Sequence, residues 1–226
     1  ETANQFFADG GKGLNITVPF KLEAYELAQK KTARAELAKA ANVLWFKDGQ
    51  LWCDNTDGVG LTRDLQRLLK SQQSSLKNAK VLILGAGGAA QGVIAPLMTE
   101  KVSQITIANR TFEKAQQFVE QFKESAASAQ VSLQAIDIQK LGEATNQANN
   151  SFDLIINATA TGLGHTSPIS KEQLKAIATE KTLAYDMVYG KDTRFMADAK
   201  ELGLKASDGL GMLVEQPAVA FETWRN

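Results

Sequence analysis

The stretch Val81-Leu82-Ile83-Leu84-Gly85-Ala86-Gly87-Gly88-Ala89-Ala90 decides the fold. Four consecutive apolar residues read as a strand covered on both faces, and the glycine-rich turn opens a helical pattern running through residues 91–98. The order strand, G-x-G-x-x-G/A, helix is the context in which that motif carries meaning. Gly85 permits the tight turn, Gly87 lets a phosphate approach the backbone, and the small Ala90 allows the helix to pack close to the strand. The helix start then offers unpaired N–H groups and the positive end of a dipole to an anion. A dinucleotide site is implied, with Gly85, Ala86, Gly87, Gly88 and Ala89 as its phosphate loop.

Outward from this turn, residues 105–108, 131–136, 154–157 and 182–186 also read as short strands, most of them separated by helical patterns. Alternation of this kind predicts crossover connections and a parallel sheet with helices on both faces, a Rossmann-like doubly wound α/β domain. Before it, residues 13–18 read as a strand and residues 19–30 as a helix that opens with proline. Residues 43–47 and 50–53 form a hairpin about Asp48-Gly49. These make a second, smaller α/β unit. Residues 58–69 carry apolar side chains at helical spacing and bridge the two, and Ser71-Gln72-Gln73-Ser74-Ser75 is a polar linker near which the hinge is expected. The division is therefore 1–57 for a substrate-binding unit, 58–211 for the dinucleotide domain with its linking helix, and 212–226 for a helix returning to the first unit.

Composition narrows the function classes. The 226 residues are 44% hydrophobic, and 25 Lys and Arg balance 25 Asp and Glu, so no net field attracts nucleic acid or an anionic membrane. The expected partner is a small molecule. One cysteine, Cys53, precludes an internal disulfide, and one histidine, His165, leaves no His/Cys cluster for a metal. His165 lies in a loop pattern and reads as an exposed residue without a catalytic role, Cys53 as a small buried hydrophobe, and Trp45, Trp52 and Trp224 as packing residues. No apolar run is long enough to cross a bilayer and the polar start does not resemble a signal peptide, which together predict a cytoplasmic protein.

The strand at 105–108 ends in Asn109-Arg110-Thr111, where an NAD-binding fold usually offers a carboxylate to the ribose 2′-hydroxyl. No acid stands there. Arg110 can grip a 2′-phosphate as a charged fork, Thr111 can donate a hydroxyl, and Lys114 adds a point charge, which favours NADP over NAD. The alternative is a pair of solvated cations with Thr111 as a helix cap.

Candidate chemistry lies in the smaller unit. Strand alternation puts Asn15 and Thr17 on one face, Lys21 follows at a helix start, and the hairpin delivers Asp54-Asn55-Thr56-Asp57-Gly58. Burial and the positive helix end both disfavour the Lys21 ammonium form, which suits it to proton transfer, and an adjacent Asp57 would orient it. On spacing alone, a solvated lysine and an N-capping aspartate account for these two residues better.

Three motifs change that balance: N-x-T-x-P-x-K at Asn15–Lys21, D-N-T-D-G at 54–58 and D-G-x-G-M-L-x-x-Q at 208–216. With the glycine loop, Asn109-Arg110-Thr111, residues 157–162 and residues 185–189, they occur in the order found in shikimate dehydrogenases, which this chain resembles over nearly its whole length. The resemblance implies NADP-dependent, reversible reduction of 3-dehydroshikimate to shikimate in aromatic amino acid biosynthesis. Lys21 and Asp57 match the catalytic pair, with Lys21 protonating the C3 oxygen as hydride arrives. Asn15, Thr17, Asn42, Tyr189 and Gln216 match substrate-binding positions, while Asn157, Ala158, Thr159, Met187 and Gly209 match segments lining the cofactor's ribose and nicotinamide. A polyhydroxylated ring calls for such neutral hydrogen-bonding groups.

Ala160 and Val43 depart from the Ser and Thr common in the family at those places. The family's opening strand-helix unit, whose S-x-S motif binds the substrate carboxylate, is expected to be missing here, as are closing residues beyond the last helix. Two other functions compete: a quinate/shikimate dehydrogenase with relaxed substrate and cofactor use, and a catalytically inactive NADP-binding regulator. Retention of Lys21, Asp57, Asn42 and Gln216 argues against the regulator. Monomer and homodimer both remain open.

Overall fold

A computed structural model describes residues 2–17, 19–71, 73–143, 151–160 and 166–225. The larger sheet is six-stranded and parallel throughout, built from β5 (Lys80–Leu84), β6 (Gln104–Asn109), β7 (Ser132–Asp137), β8 (Phe152–Asn157), β9 (Ala178–Asp186) and β10 (Lys205–Asp208). Its spatial order is β10-β9-β8-β5-β6-β7, so β5, which precedes the glycine loop, sits centrally beside the point where strand order reverses. The doubly wound expectation is met.

Side-chain alternation along β5 shows why its sequence is continuously apolar. Val81 and Ile83 pack with α5 (Gly88–Thr99) and α6 (Phe112–Ala129) on one face. Leu82 and Leu84 pack on the other face with α7 (Lys171–Ile177) and α8 (Arg194–Glu201). Both layers exclude water, and each aliphatic side chain so buried contributes roughly 1.5–3 kcal/mol relative to exposure. The start of α7 is fixed by a reciprocal capping box, in which Ser170 accepts from the Gln173 backbone N–H and the Gln173 side chain accepts from the Ser170 N–H. Ser170→Ala should destabilise the protein by about 1 kcal/mol, read as a lower urea midpoint at unchanged slope.

The smaller sheet is four-stranded and mixed, in the order β1 (Gly13–Asn15), β3 (Val43–Lys47), β4 (Gln50–Asp54), β2 (Lys30–Lys31). Asp48 and Gly49 close the expected hairpin with φ of 52° and 73°, as a two-residue turn that twists with its strands requires. The helix expected over 19–30 is shorter, Lys21–Leu27 (α2). It ends because Ala28 is extended and the Gln29 N–H donates to Leu51 O, which draws Lys30 and Lys31 alongside β4. Thr32 then caps α3 (Ala33–Ala38). Trp45 and Trp52 stack with ring centroids 5.9 Å apart, beside Ala220 and Trp224, in the packing role expected of them. Cys53 is buried and free, and burial pushes its thiol up to about 11.

Asp54, at the end of β4, is buried and receives hydrogen bonds from Arg34 and Thr32. Burial alone would raise its carboxyl, but the bonds and the guanidinium charge outweigh burial and hold it below the usual range. The unfolded chain, with an aspartate near pH 3.9, therefore binds this proton first as pH falls. The resulting stability is present above about pH 4 and lost as pH drops through the lower folded value. Asp54→Asn should flatten the acid limb of a stability profile taken between pH 7 and 3. An unchanged slope would place the acid sensitivity elsewhere.

The linking helix α4 (Asp57–Lys70) and the returning helix α9 (Leu210–Arg225) pack against each other between the two sheets. A Cβ on Gly60 would lie 2.8 Å from Met212 O, so a glycine is what permits their approach. Among the described residues no helix is long and apolar enough to cross a membrane.

Candidate active site

Lys21 is the first residue of α2 and Asp57 the first of α4, and the two helix starts converge. Lys21 Nζ donates to Asp57 Oδ2 at 2.5 Å, with the lysine side chain 13% exposed and the aspartate 2%. Asn42 completes the arrangement. Its Nδ2 donates to Asp57 Oδ1 at 2.9 Å, to Thr56 Oγ1 at 3.1 Å and to Gln216 Oε1 at 3.3 Å, and its Oδ1 accepts from the Thr56 N–H at 2.8 Å. Backbone bonds fix the frame: the Ala41 N–H donates to Lys21 O, and the Asn42 N–H donates to Asp54 O. The simple reading of Asp57 as an N-cap does not describe this geometry, because Asp57 lies inside the helix and Thr56 takes the cap position without a side-chain cap bond.

Chemically, the cluster is a charged proton donor against a buried carboxylate, with neutral amides alongside. Asp57 can hold Lys21 in one orientation, while Lys21 keeps further N–H donors for an oxygen outside the cluster. The strand expected over residues 13–18 is shorter, Gly13–Asn15, so Thr17 lies beyond its end; Asn15 and Thr17 are both exposed, while Leu14 and Ile16 pack against the small core. Neither side chain is hydrogen-bonded to the Lys21 cluster. Tyr189 is half exposed in the loop after β9 and likewise makes no side-chain hydrogen bond to the cluster.

The second group of residues lies at the C-terminal edge of the parallel sheet. Gly85 has φ of +108°, and a Cβ there would stand 2.9 Å from Thr159 Cγ2, so both conformation and space require glycine. At Gly87 and Gly88 a Cβ would meet no protein atom within 4 Å. The fold does not need glycine at those two positions, whereas close approach of a phosphate to the start of α5 does. Ala86 and Ala89 flank them in the same turn.

Arg110, Thr111 and Lys114 are exposed, and neither cation has an ion-pair partner among the described residues. Thr111 occupies the cap position of α6 but its hydroxyl makes no cap bond, contrary to the alternative that it serves as a helix cap. Asn109 Nδ2 donates to Thr111 O at 2.8 Å and closes the turn from which Arg110 projects. These residues suit a 2′-phosphate, and no carboxylate occupies the end of β6.

Asn157 is fully buried and accepts from both the Thr159 N–H and hydroxyl through Oδ1, while its Nδ2 donates to Asp186 Oδ2 at 3.1 Å. The Met187 N–H donates to Asn157 O. A Cβ on Gly209 would stand 2.4 Å from Met187 O, which brings Gly209 against the same loop as Met187, while Ala158 and Thr159 line the turn beside Gly85. His165 and residues 161–162 lie outside the described residues.

Two family models match the sequence: shikimate/quinate 5-dehydrogenase over residues 67–192, and the shikimate dehydrogenase substrate-binding domain over residues 1–44. An NADP(+) shikimate dehydrogenase of Legionella pneumophila is 45% identical over 225 residues, which are 99% of this chain and 76% of that protein. The chain belongs to the shikimate dehydrogenase family. Among solved structures, an Ael1 enzyme from Pseudomonas putida superposes with a TM-score of 0.82 at 40% identity, covering 99% of this chain and 77% of that one. A shikimate dehydrogenase in complex with NADP+ superposes at 0.80 with 30% identity, covering 98% and 73%.

Within this member of the shikimate dehydrogenase family, two buried residues support the site without having been singled out from sequence. Thr56 joins Asn42 to the Asp57 turn. Asp186 accepts from Asn157, from the Thr193 hydroxyl at 2.7 Å and from the Val188 N–H at 3.0 Å, tying the ends of β8 and β9 to the start of α8. Burial raises the Asp186 carboxyl above its usual range despite those three bonds, with Asp208 adding to the effect. The signal for each was its place inside a quoted segment, D-N-T-D-G for Thr56 and residues 185–189 for Asp186.

Proposed function

We propose that this chain catalyses the reversible NADP-dependent reduction of 3-dehydroshikimate to shikimate. The observation that carries the reading is the 2.5 Å bond between Lys21 and the buried Asp57, flanked by Asn42 and Gln216 from elements distant in the chain. Bound NADPH supplies the hydride. Lys21 delivers a proton to the substrate's C3 oxygen in reduction and takes it back in oxidation, while Asp57 orients the ammonium group. Asn15, Thr17, Asn42, Tyr189 and Gln216 bind the hydroxylated ring. Asn157, Ala158, Thr159, Met187 and Gly209 line the ribose and nicotinamide side. Gly85, Ala86, Gly87, Gly88 and Ala89 receive the pyrophosphate, and Asn109, Arg110, Thr111 and Lys114 the 2′-phosphate.

In this reading residues 1–57 and 212–226 make the substrate side, and residues 58–211 the cofactor side. The partners are small molecules rather than nucleic acid or membrane, and we place the reaction in the cytoplasm, with the protein a monomer or homodimer. The test is an NADPH absorbance assay with shikimate and quinate, each offered with NADP+ and NAD+. Turnover confined to shikimate with NADP+ supports the reading. Comparable rates on quinate with NAD+ would make it the broader enzyme, and NADPH binding without any turnover would make it a binding protein.

A further inference from the structure

Asp64 lies about two turns beyond Asp57 on α4, yet its carboxylate is directed at a different set of partners. Its side chain is 1% exposed. Oδ2 accepts from the Tyr185 hydroxyl at 2.9 Å, and Oδ1 accepts from Arg67 Nη2 and Nε at 2.6 and 3.1 Å. Tyr185 is itself fully buried at the end of β9, in the same core cluster as Met212 from the first turn of α9. A Cβ on Gly211 would stand 2.1 Å from Asp64 Oδ1, so the carboxylate packs directly on that turn. The second glycine of D-G-x-G-M-L thus makes room for Asp64.

Three elements meet at this point, and each carries one part of the proposed reaction. Helix α4 begins with Asp57, β9 runs directly into Met187 and Tyr189, and α9 presents Gln216 one turn after Met212. Burying a carboxylate is costly, and an apolar pair of similar volume would hold the elements together at least as well. What Asp64 and Tyr185 add is direction. The Tyr185 hydroxyl donates to the buried Asp64 carboxylate, and the Gly211 turn packs on that carboxylate, so a shift of β9 relative to α4 breaks a bond that water cannot replace and a shift of α9 opens the packing beside it.

We propose that Asp64 and Tyr185 are positioning residues that hold the nicotinamide-side loop at 186–190 in register with Asp57 and Gln216. This rests on the dehydrogenase reading above. Neither residue touches a reacting atom. Their contribution lies in the placement of hydride donor and proton donor about one carbonyl group, where a displacement well under 1 Å changes rate.

The experiment compares Tyr185→Phe, which removes one oxygen, and Asp64→Asn with the wild-type chain. Amide hydrogen exchange is read first, because it needs no turnover. In both variants protection should fall by about tenfold together in residues 186–190 and 210–216, and stay unchanged in β5. In the assay, kcat should fall about tenfold while KM for shikimate and NADP+ changes less than twofold. The primary isotope effect from shikimate deuterated at C3 should rise as hydride transfer becomes more limiting. Phe195→Leu, a buried change on the opposite sheet face, serves as a stability control that lowers Tm without moving the isotope effect. Exchange changes confined to one of the two segments, or a normal kcat and isotope effect in Tyr185→Phe, would overturn the proposal. Wild-type protein without shikimate turnover would instead remove the dehydrogenase reading, and the exchange result would still decide whether Asp64 and Tyr185 couple the two segments.

Discussion

Lys21→Ala is expected to lower kcat for shikimate oxidation by roughly 10²–10⁴-fold, the usual share of a positioned acid or base, with NADPH affinity nearly unchanged. The magnitude follows from what surrounds the lysine. Asp57 is 2% exposed and its other side-chain partner is the neutral Asn42 amide, so among the described residues no second cation is bonded to it to supply the proton. Arg34, another cation of the small unit, is engaged by Asp54. The residual rate then comes from binding and orientation alone, with water as the proton source. Steady-state kinetics with both substrates, together with a fluorescence titration of NADPH, separate the outcomes. Turnover within a few fold of wild type would remove Lys21 from the mechanism, and a matching loss of NADPH binding would point to damage beyond the substrate side.

Much of the architecture is legible because local rules and tertiary demands agree there. Val81-Leu82-Ile83-Leu84 can only be continuously apolar in a strand covered on both faces, and the turn after it has one productive geometry. Asp48-Gly49 likewise dictates its own hairpin. Other elements carry no local signal. Lys30-Lys31 and Lys205-Ala206-Ser207-Asp208 lack both apolar alternation and β-branched residues, and they are strands only because β4 and β9 offer them an edge. The end of α2 is similarly decided by Gln29 pairing with Leu51, twenty-two positions on.

The site divides the same way. The phosphate loop is contiguous and its roles follow from backbone geometry, so it can be read without knowing the fold. Asn42 and Gln216 are 174 positions apart, and Asp64 and Tyr185 are 121 apart. No periodicity relates them. Spacing favoured the ordinary interpretation of Lys21 and Asp57, and the family motifs alone reversed it. Tyr185 reads locally as one more strand residue, and its buried hydroxyl becomes significant only when the partner carboxylate is seen to arrive from α4.

Arg110→Ala should weaken NADP binding by about 1.5–3 kcal/mol, or roughly 10- to 150-fold, and leave NAD binding almost as it was. Arg110 is exposed at the end of β6 and has no carboxylate partner among the described residues, so its guanidinium can turn to a ligand without breaking an internal pair. Asn109 holds the turn closed through Thr111 O, which keeps the arginine's starting point fixed when its side chain is truncated. The lost interactions therefore reach only the phosphate that distinguishes the two cofactors. Because the site is open to solvent, the difference should shrink as salt is raised, most steeply over the range where the screening length falls below about 10 Å. Lys114→Ala should cost less, since a flexible ammonium offers a point charge rather than a fork. Isothermal titration with NADP+ and NAD+ at low and high salt makes the comparison. Equal losses for the two cofactors would show that Arg110 supports the turn or the shared adenosine, and selectivity would then have to come from Thr111 and Lys114.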